Sequence, residues 1–178
     1  MTQSDMIETT ITYLEMVDDP GHRAGPCPVK KTALLRTDNI PVHYYRYLYG
    51  TVGRDHIWYE RQLMDDEMLS DIIHNEGIEI TVAYVGGVPA GYFELDLSDL
   101  PTVDLAYFGL IPDFVSMGLG KWLLMTAIET AWDKGADRLT VNTCTLDSPR
   151  ALPLYQKLGF TPYAQEHKEI EVPALQDG

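Results

Sequence analysis

The segment VDLAYFGLIPDFVSMGLGKWLLMTAIETAW, residues 103–132, combines a strand, a glycine turn and a helix. Residues 103–110 are apolar and aromatic, as in a strand buried on both faces, and Pro112 ends the strand because proline lacks an N–H for the ladder. Gly118 and Gly120 then form a turn. Apolar residues recur after it at helical spacing until Gly135, namely Trp122, Leu123, Leu124, Ala127, Ile128 and Ala131. The segment therefore predicts a strand–turn–helix unit.

A glycine turn at a helix N-terminus is typical of an anion-binding site. The first N–H groups of the helix are unpaired and carry a partial positive charge, and glycines let an anion approach the backbone closely. A tight packing turn is the structural alternative. Two other phosphate motifs do not fit: a dinucleotide fingerprint needs a glycine where Leu123 stands, and a nucleotide P-loop needs Ser or Thr at Trp122.

Two stretches of the chain resemble motifs of the GNAT superfamily of N-acyltransferases. Residues 110–124 resemble its acetyl-CoA-binding motif, a strand, a proline and then Arg/Gln-x-x-Gly-x-Gly/Ala opening a helix. Gly118 and Gly120 match, whereas Val115 replaces the Arg or Gln. Residues 148–160, SPRALPLYQKLGF, are similar to the family's Asn-x-x-Ala-x-x-Leu-Tyr-x-x-x-Gly-Phe, with Ser148 in place of Asn. The resemblance covers residues 78–163.

This resemblance implies one α/β (α+β) domain over residues 1–178, with a mixed, mostly antiparallel central sheet of about seven strands flanked by about four helices. Residues 1–40 would form an N-terminal strand and loop, residues 41–77 the acceptor-side helices, and residues 78–163 the acetyl-CoA-binding core. The local patterns agree. Paired glycines at 86–87 predict a hairpin, and Ser148 followed by Pro149 predicts the start of a helix.

The resemblance also implies where acetyl-CoA, the acyl donor, would bind. Backbone N–H groups of the glycine turn would take the pyrophosphate, from Val115, Ser116, Met117, Gly118, Leu119, Gly120 and Lys121. Main-chain groups of Phe108, Gly109 and Leu110 would pair with the pantetheine arm as if it were another strand, and Ser148 occupies the second motif's first position. Gly109 is consistent with a β-bulge that separates its strand from the next.

Transfer of an acyl group to an amine needs a bound thioester, an unprotonated nucleophile and a proton for the departing thiolate. Tyr155 occupies the family's tyrosine position and would be the acid. Asp104 stands where several members carry a catalytic glutamate, and Glu94 on the preceding strand is the rival base. A register pairing Glu94 with Asp104 or Ala106 would put both carboxylates on one face, where one pKa would rise. Binding an already neutral amine, with no dedicated base, stays open.

The acceptor is expected near residues 44–58, which comprise most of a helix predicted over residues 42–52 and the segment after it. That helix carries Tyr44, Tyr45, Tyr47 and Tyr49, and the family's first helix usually shapes the acceptor pocket. The structural alternative is that these tyrosines are half-buried packing residues of an amphipathic helix. His43 and His56 are expected to be surface or packing residues. The resemblance implies direct attack in a ternary complex, without a covalent intermediate on Cys144. A non-catalytic acyl-CoA-binding sensor domain is the alternative.

Composition restricts the classes of ligand and partner further. The net charge of −14 argues against nucleic acid and suits a cationic amine or peptide acceptor, although solubility alone also produces such charge. The two cysteines, Cys27 and Cys144, form no C-x-x-C pair, so no metal site is expected. No apolar run approaches the ~20 residues of a membrane span, and residues 1–5 lack a signal-peptide pattern, so a cytoplasmic protein without a membrane partner is expected. A homodimer is common among the similar proteins.

Overall fold

The computed structural model describes residues 5–172, and the first four and last six residues lie outside it, including those on which the signal-peptide expectation rests. The described residues form one mixed sheet in the order β2-β3-β4-β5-β6-β1-β7. Every neighbouring pair is antiparallel except β5 and β6. The strands are β1 Asp5–Met16, β2 Thr32–Arg36, β3 Ile78–Val85, β4 Val88–Asp99, β5 Thr102–Leu110, β6 Arg138–Cys144 and β7 Thr161–Val172. The predicted fold class is confirmed.

Five α-helices occur in the described residues, one more than predicted: α1 Val42–Gly53, α2 Glu60–Leu63, α3 Asp66–Ile73, α4 Leu119–Asp133 and α5 Ala151–Lys157. The additional helix is α2, a single turn with no periodic pattern to reveal it. Ser148 does not cap α5 directly, which corrects the sequence prediction. Its Oγ accepts a hydrogen bond from Arg150 N at 3.3 Å in a turn, and the helix begins at Ala151.

The sheet separates two hydrophobic clusters. Helices α4 and α5 pack on one face, where Phe93 and Leu95 of β4 contribute. Helices α1 and α3 pack on the other, where Tyr92 contributes. Because successive residues of a strand point to opposite faces, Tyr92 and Phe93 fall into different clusters. The residues of α1 and of α4 thus lie on opposite sides of β5, which runs between them.

Strands β5 and β6 separate after a short parallel stretch. They pair only from Thr102 with Arg138 to Asp104 with Thr140, and both strands then continue for several residues without pairing to each other. A bulge lies in β5 at this point, because Leu95 pairs with Leu105 while Glu94 pairs with Tyr107. The prediction of a bulge at Gly109 is therefore wrong. Gly109 pairs regularly with Tyr92, and a Cβ there would lie 2.4 Å from Val52 Cγ1, which explains the glycine.

The N-terminal strand lies inside the sheet. Strand β1 pairs with β6 on one side and with β7 on the other, in a ladder from Asp5 opposite Val172 to Glu15 opposite Thr161. Residues 17–31 then cross to the opposite edge, where β2 pairs with β3. On the way, Trp122 Nε1 of α4 donates to Gly25 O at 2.9 Å. β1 consequently forms part of the wall beside the separation of β5 and β6.

Candidate active site

A cavity of about 550 Å³ opens where β5 and β6 separate. One wall consists of the glycine turn and the N-terminal half of α5, and the other consists of α1 and the segment before α2. Residues 105–110 of β5 form the floor, and Thr9, Ile11 and Lys168 from β1 and β7 close the side. The lining thus extends from the glycine turn at one end to α1 at the other.

The turn before α4 presents unpaired backbone donors. Gly118 caps the helix at a φ of 81°, a conformation that glycine adopts without strain. The N–H of Trp122 bonds to Gly118 O at 3.4 Å as the first turn of the helix closes. The preceding N–H groups, from Leu119 to Lys121, therefore have no intrahelical acceptor. Together with the helix dipole, they form a site suited to an anion.

A cation from the residue before α5 reaches the same turn. Arg150 Nη1 donates to Ser116 Oγ at 2.9 Å, and both residues line the cavity. Lys121 of α4 also lines it. Val115, which stands where the resembling motif has Arg or Gln, is exposed at this end. The positive side chains of the turn thus come from positions 121 and 150.

The free edge of β5 lies along the cavity floor. One side of the strand pairs with β4 as far as Leu110 opposite Gly91, whereas its pairing with β6 ends at Asp104. Backbone groups on the β6 side of residues 106–110 therefore have no ladder partner. An extended ligand with amide groups would bind this edge as an added strand does.

Tyr155 lies between the turn and this floor. Its ring packs edge-on against Phe108 and Phe160, with centroids 6.4 and 5.7 Å apart. The hydroxyl makes no hydrogen bond within the described residues, and the side chain lines the cavity. Burial, followed by the negative charges of Asp147 and Asp104, raises the pKa of Tyr155. The phenol therefore stays protonated at neutral pH and is able to donate.

Asp104 lies at the base of the separation, on the last pair that joins β5 to β6. Thr140 Oγ1 donates to its Oδ1 at 2.6 Å. Burial, and secondarily the charge of Asp96 opposite it, raise the pKa of Asp104, while the hydrogen bond from Thr140 lowers it. Asp104 does not itself line the cavity, although the next residue, Leu105, does.

Glu94 lies elsewhere, in a fully buried network under α1 and α2. Arg61 Nη1 donates to both carboxylate oxygens, at 2.7 and 2.8 Å, and the Tyr45 hydroxyl donates to Oε2 at 2.7 Å. The predicted register is wrong: Glu94 pairs with Tyr107, and Asp96 rather than Glu94 pairs with Asp104. Burial raises the pKa of Glu94 against the opposing effect of Arg61 and Tyr45. Every oxygen of this carboxylate is already bonded.

Aromatic side chains form the α1 end of the cavity. The rings of Tyr49, Trp58 and Tyr107 contact one another with centroids 5.1 to 5.5 Å apart. Trp58 Nε1 donates to Asp147 Oδ1 at 3.1 Å, which joins the segment before α2 to the loop after β6. Asp147 also accepts from Thr143 Oγ1 and from Cys144 N. His56 lines the cavity, whereas it was expected to be a surface or packing residue.

Most residues assigned to the donor site from the sequence line this one cavity: Phe108, Gly109, Leu110, Val115, Ser116, Gly118, Gly120, Lys121 and Ser148, together with Tyr155. Met117 and Leu119 do not. The side chain of Met117 is exposed to solvent, and that of Leu119 is fully buried in the core. Asp104 and Glu94 lie outside the lining.

Sequence reasoning missed Asp147, Arg150 and the contribution of β1. Arg150 and Asp147 belong to or adjoin the second motif, so proximity to Ser148 was a usable signal for both. The lining residues Thr9 and Ile11 carried no signal, because only the pairing of β1 with β6 brings them to the site. Trp58 falls at the end of the region that the sequence marked for acceptor contacts.

The family model described as "Acetyltransferase (GNAT) family" matches residues 41–160. The uncharacterized N-acetyltransferase YvbK of Bacillus subtilis (strain 168) is 34% identical over 89 residues, which are 50% of this chain and 57% of that protein. The chain thus spans little more than half of this curated relative.

Solved structures share the fold. A Bacillus subtilis acetyltransferase in complex with CoA is 26% identical, with a TM-score of 0.56 over 75% of this chain and 79% of that one. A GCN5-related N-acetyltransferase from Sphaerobacter thermophilus has a TM-score of 0.65 at 15% identity, over 96% and 53% of the two chains. An aminoglycoside acetyltransferase from an uncultured soil sample, in complex with trehalose, has a TM-score of 0.59 at 15% identity, over 72% and 87%. Within residues 5–172, no helix combines the length and apolarity needed to cross a membrane.

Proposed function

The chain belongs to the GNAT acetyltransferase family, and from that premise we propose that it transfers the acetyl group of acetyl-CoA to a primary amine of a small molecule or peptide. The observation that carries the proposal is the cavity that joins three features: the unpaired donors before α4, the free edge of β5 and the hydroxyl of Tyr155. Each feature suits a different part of a thioester donor.

The donor site fits acetyl-CoA in chemistry as well as in shape. The N–H groups from Leu119 to Lys121 would bind the pyrophosphate, and the Lys121 and Arg150 side chains would supply the charge that Val115 does not. Backbone groups of residues 108–110 would hold the pantetheine amides. Local donors of this kind allow an acidic protein to hold an anionic ligand. The CoA complex of the Bacillus subtilis acetyltransferase, at 26% identity, supports this assignment.

When bound, acetyl-CoA supplies an activated acyl group as a thioester. The chain would hold the amine so that its nitrogen attacks the thioester carbon in the ternary complex, and unpaired N–H groups of β5 would stabilise the developing oxyanion. Tyr155 would donate its hydroxyl proton to the sulfur as the carbon–sulfur bond breaks. The raised pKa of Tyr155 keeps that proton available at neutral pH.

Asp104 is the better candidate for the base. Its raised pKa makes it a stronger base than an ordinary aspartate, and it adjoins the cavity floor, from which a single water would relay the ammonium proton. Glu94 is engaged by Arg61 and Tyr45, so we assign it a positioning role behind Tyr107. Cys144 lines the cavity but no role in a covalent intermediate is assigned to it.

Thermal unfolding with and without acetyl-CoA tests the donor site. A concentration near 100 times the dissociation constant should stabilise the parent chain by about 2.7 kcal/mol. The Gly118→Glu variant should lose this stabilisation because its carboxylate repels the pyrophosphate. The Gly118→Ala variant, which suffers the same backbone strain without the charge, is the matched control and should keep a measurable shift. No shift in a folded parent would contradict the proposal.

Thiol release with a panel of amines then tests turnover. The Tyr155→Phe variant should bind acetyl-CoA normally but turn over about 100-fold more slowly, as expected for loss of a general acid. The departures at Val115, Ser148 and Asp104 from the family's motifs favour one other function, a non-catalytic acyl-CoA sensor. Stabilisation by acetyl-CoA without thiol release from any amine would identify that function.

A further inference from the structure

The side chains at the α1 end of the cavity indicate which kind of acceptor would bind there. The lining of this end from α1 and from the residues between α1 and Arg61 comprises Tyr49, Val52, His56, Ile57, Trp58, Tyr59 and Glu60, and within the described residues this part of the lining holds no lysine or arginine. Tyr107 of β5 adds another ring. The surface is aromatic, and its carboxylates are that of the exposed Glu60 and that of Asp147, which accepts from the Trp58 indole.

The guanidinium of Arg61 does not add positive charge to this surface. Arg61 stacks over the Tyr107 ring, with its Cζ 4.5 Å from the ring centroid, and pairs with both oxygens of Glu94. Its charge is thus neutralised by a fully buried partner. An acceptor carboxylate placed here would lose water without gaining a cation, and it would meet Glu60 instead.

The other cationic side chains that line the cavity lie away from the α1 end or beside an anionic partner. Lys121 and Arg150 lie at the glycine turn, and Lys168 of β7 approaches Glu166 at 3.4 Å. Aromatic faces attract ammonium groups and bury apolar carbon. Sugar rings, by contrast, carry hydroxyls on most of their carbons and would bury less apolar carbon against these aromatic faces.

We propose that the acceptor is a primary amine on an aryl or alkyl body that lacks a carboxylate, and that Glu60 selects for its positive charge. This inference rests on the proposed function for the amine's role as nucleophile. Trp58 belongs to the wall of the acceptor end, where Asp147 fixes its orientation by accepting from the indole N–H. Amino acids and aminoglycosides are excluded as preferred acceptors, the former by charge and the latter by polarity.

Phenethylamine and phenylalanine form a matched pair, since they differ only in the carboxylate. With acetyl-CoA, the value of kcat/KM for phenethylamine should exceed that for phenylalanine by about 100-fold, the size expected when a site leaves a charge unpaired. Kanamycin should be a poorer acceptor than phenethylamine. Equal or reversed preferences would overturn the inference while leaving acetyl transfer itself intact.

Binding measured without turnover separates this inference from the proposed function. Titration of the CoA-saturated chain with each amine, followed by calorimetry, should show the same order even if no thiol is released, and absence of that order would overturn the inference. The Glu60→Lys variant should reduce the phenethylamine preference about tenfold. The Glu67→Lys variant on the exposed surface of α3 is the control and should leave the preference unchanged.

Discussion

Replacement of Glu94 with glutamine should lower the free energy of unfolding by about 3–5 kcal/mol, the cost of removing one partner from a buried ion pair. The side chains of Glu94 and Arg61 are 0% and 11% exposed, so the remaining guanidinium would stay buried without its counter-charge. Asp133→Asn is a suitable control. Asp133 pairs with Arg23, the two side chains are 62% and 56% exposed, and its loss should cost about 1 kcal/mol or less.

Urea unfolding of four chains measures this effect: the parent, Glu94→Gln, Arg61→Met and the double variant. Both charges are absent from the double variant, so its loss should be smaller than the sum of the single losses by about 2 kcal/mol or more. Thiol release by the same variants decides between positioning and base catalysis. If Glu94→Gln stayed within 1 kcal/mol of the parent but lost over 100-fold in turnover, Glu94 would be the base and the reasoning would be wrong.

Two further predictions concern β5. The raised pKa of Asp104 means that its carboxyl binds a proton more tightly in the folded chain than in the unfolded chain, where an aspartate titrates near 3.8. The carboxyl therefore contributes stability at low pH, and this stability is lost as pH rises through the folded pKa. Asp104→Asn should remove this pH dependence in denaturation measured across that range. Gly109→Ala should destabilise the chain by about 1–3 kcal/mol because its Cβ would meet Val52. Gly25→Ala, with open space around the new Cβ, should change stability little, and equal losses in both variants would contradict the steric explanation.

The strand–turn–helix unit was predictable because its signals are local. The apolar run before Pro112 and the periodic residues after Gly120 define β5 and α4 within a few residues. The residues expected to bind the donor came from the resemblance of the same segment to the GNAT motif, and most of them line the cavity. A sequence pattern reveals contacts between residues that are close in the sequence, and both elements of this unit lie within residues 102–133.

The register of β4 and β5 was not predictable from the pattern. Ala106, Tyr107 and Phe108 are all apolar or aromatic, so alternation does not reveal which residue the bulge adds. The Arg61–Glu94 pair was hidden for a related reason. Arg61 lies in the polar sequence ERQL, which resembles an exposed turn, and only the packing of α2 against β4 buries it.

The place of β1 inside the sheet has a consequence for synthesis on the ribosome. Thr12 pairs with Thr143 on one side and with Gln165 on the other. Strand β1 is therefore synthesised long before β6 and β7, the two strands with which it pairs. We expect nascent chains to keep β1 exposed until β7 leaves the exit tunnel. Since β1 also contributes Thr9 and Ile11 to the cavity wall, the ability to bind a ligand in the cavity should appear only after β7 has emerged, and a chain stalled before residue 161 should show none of it.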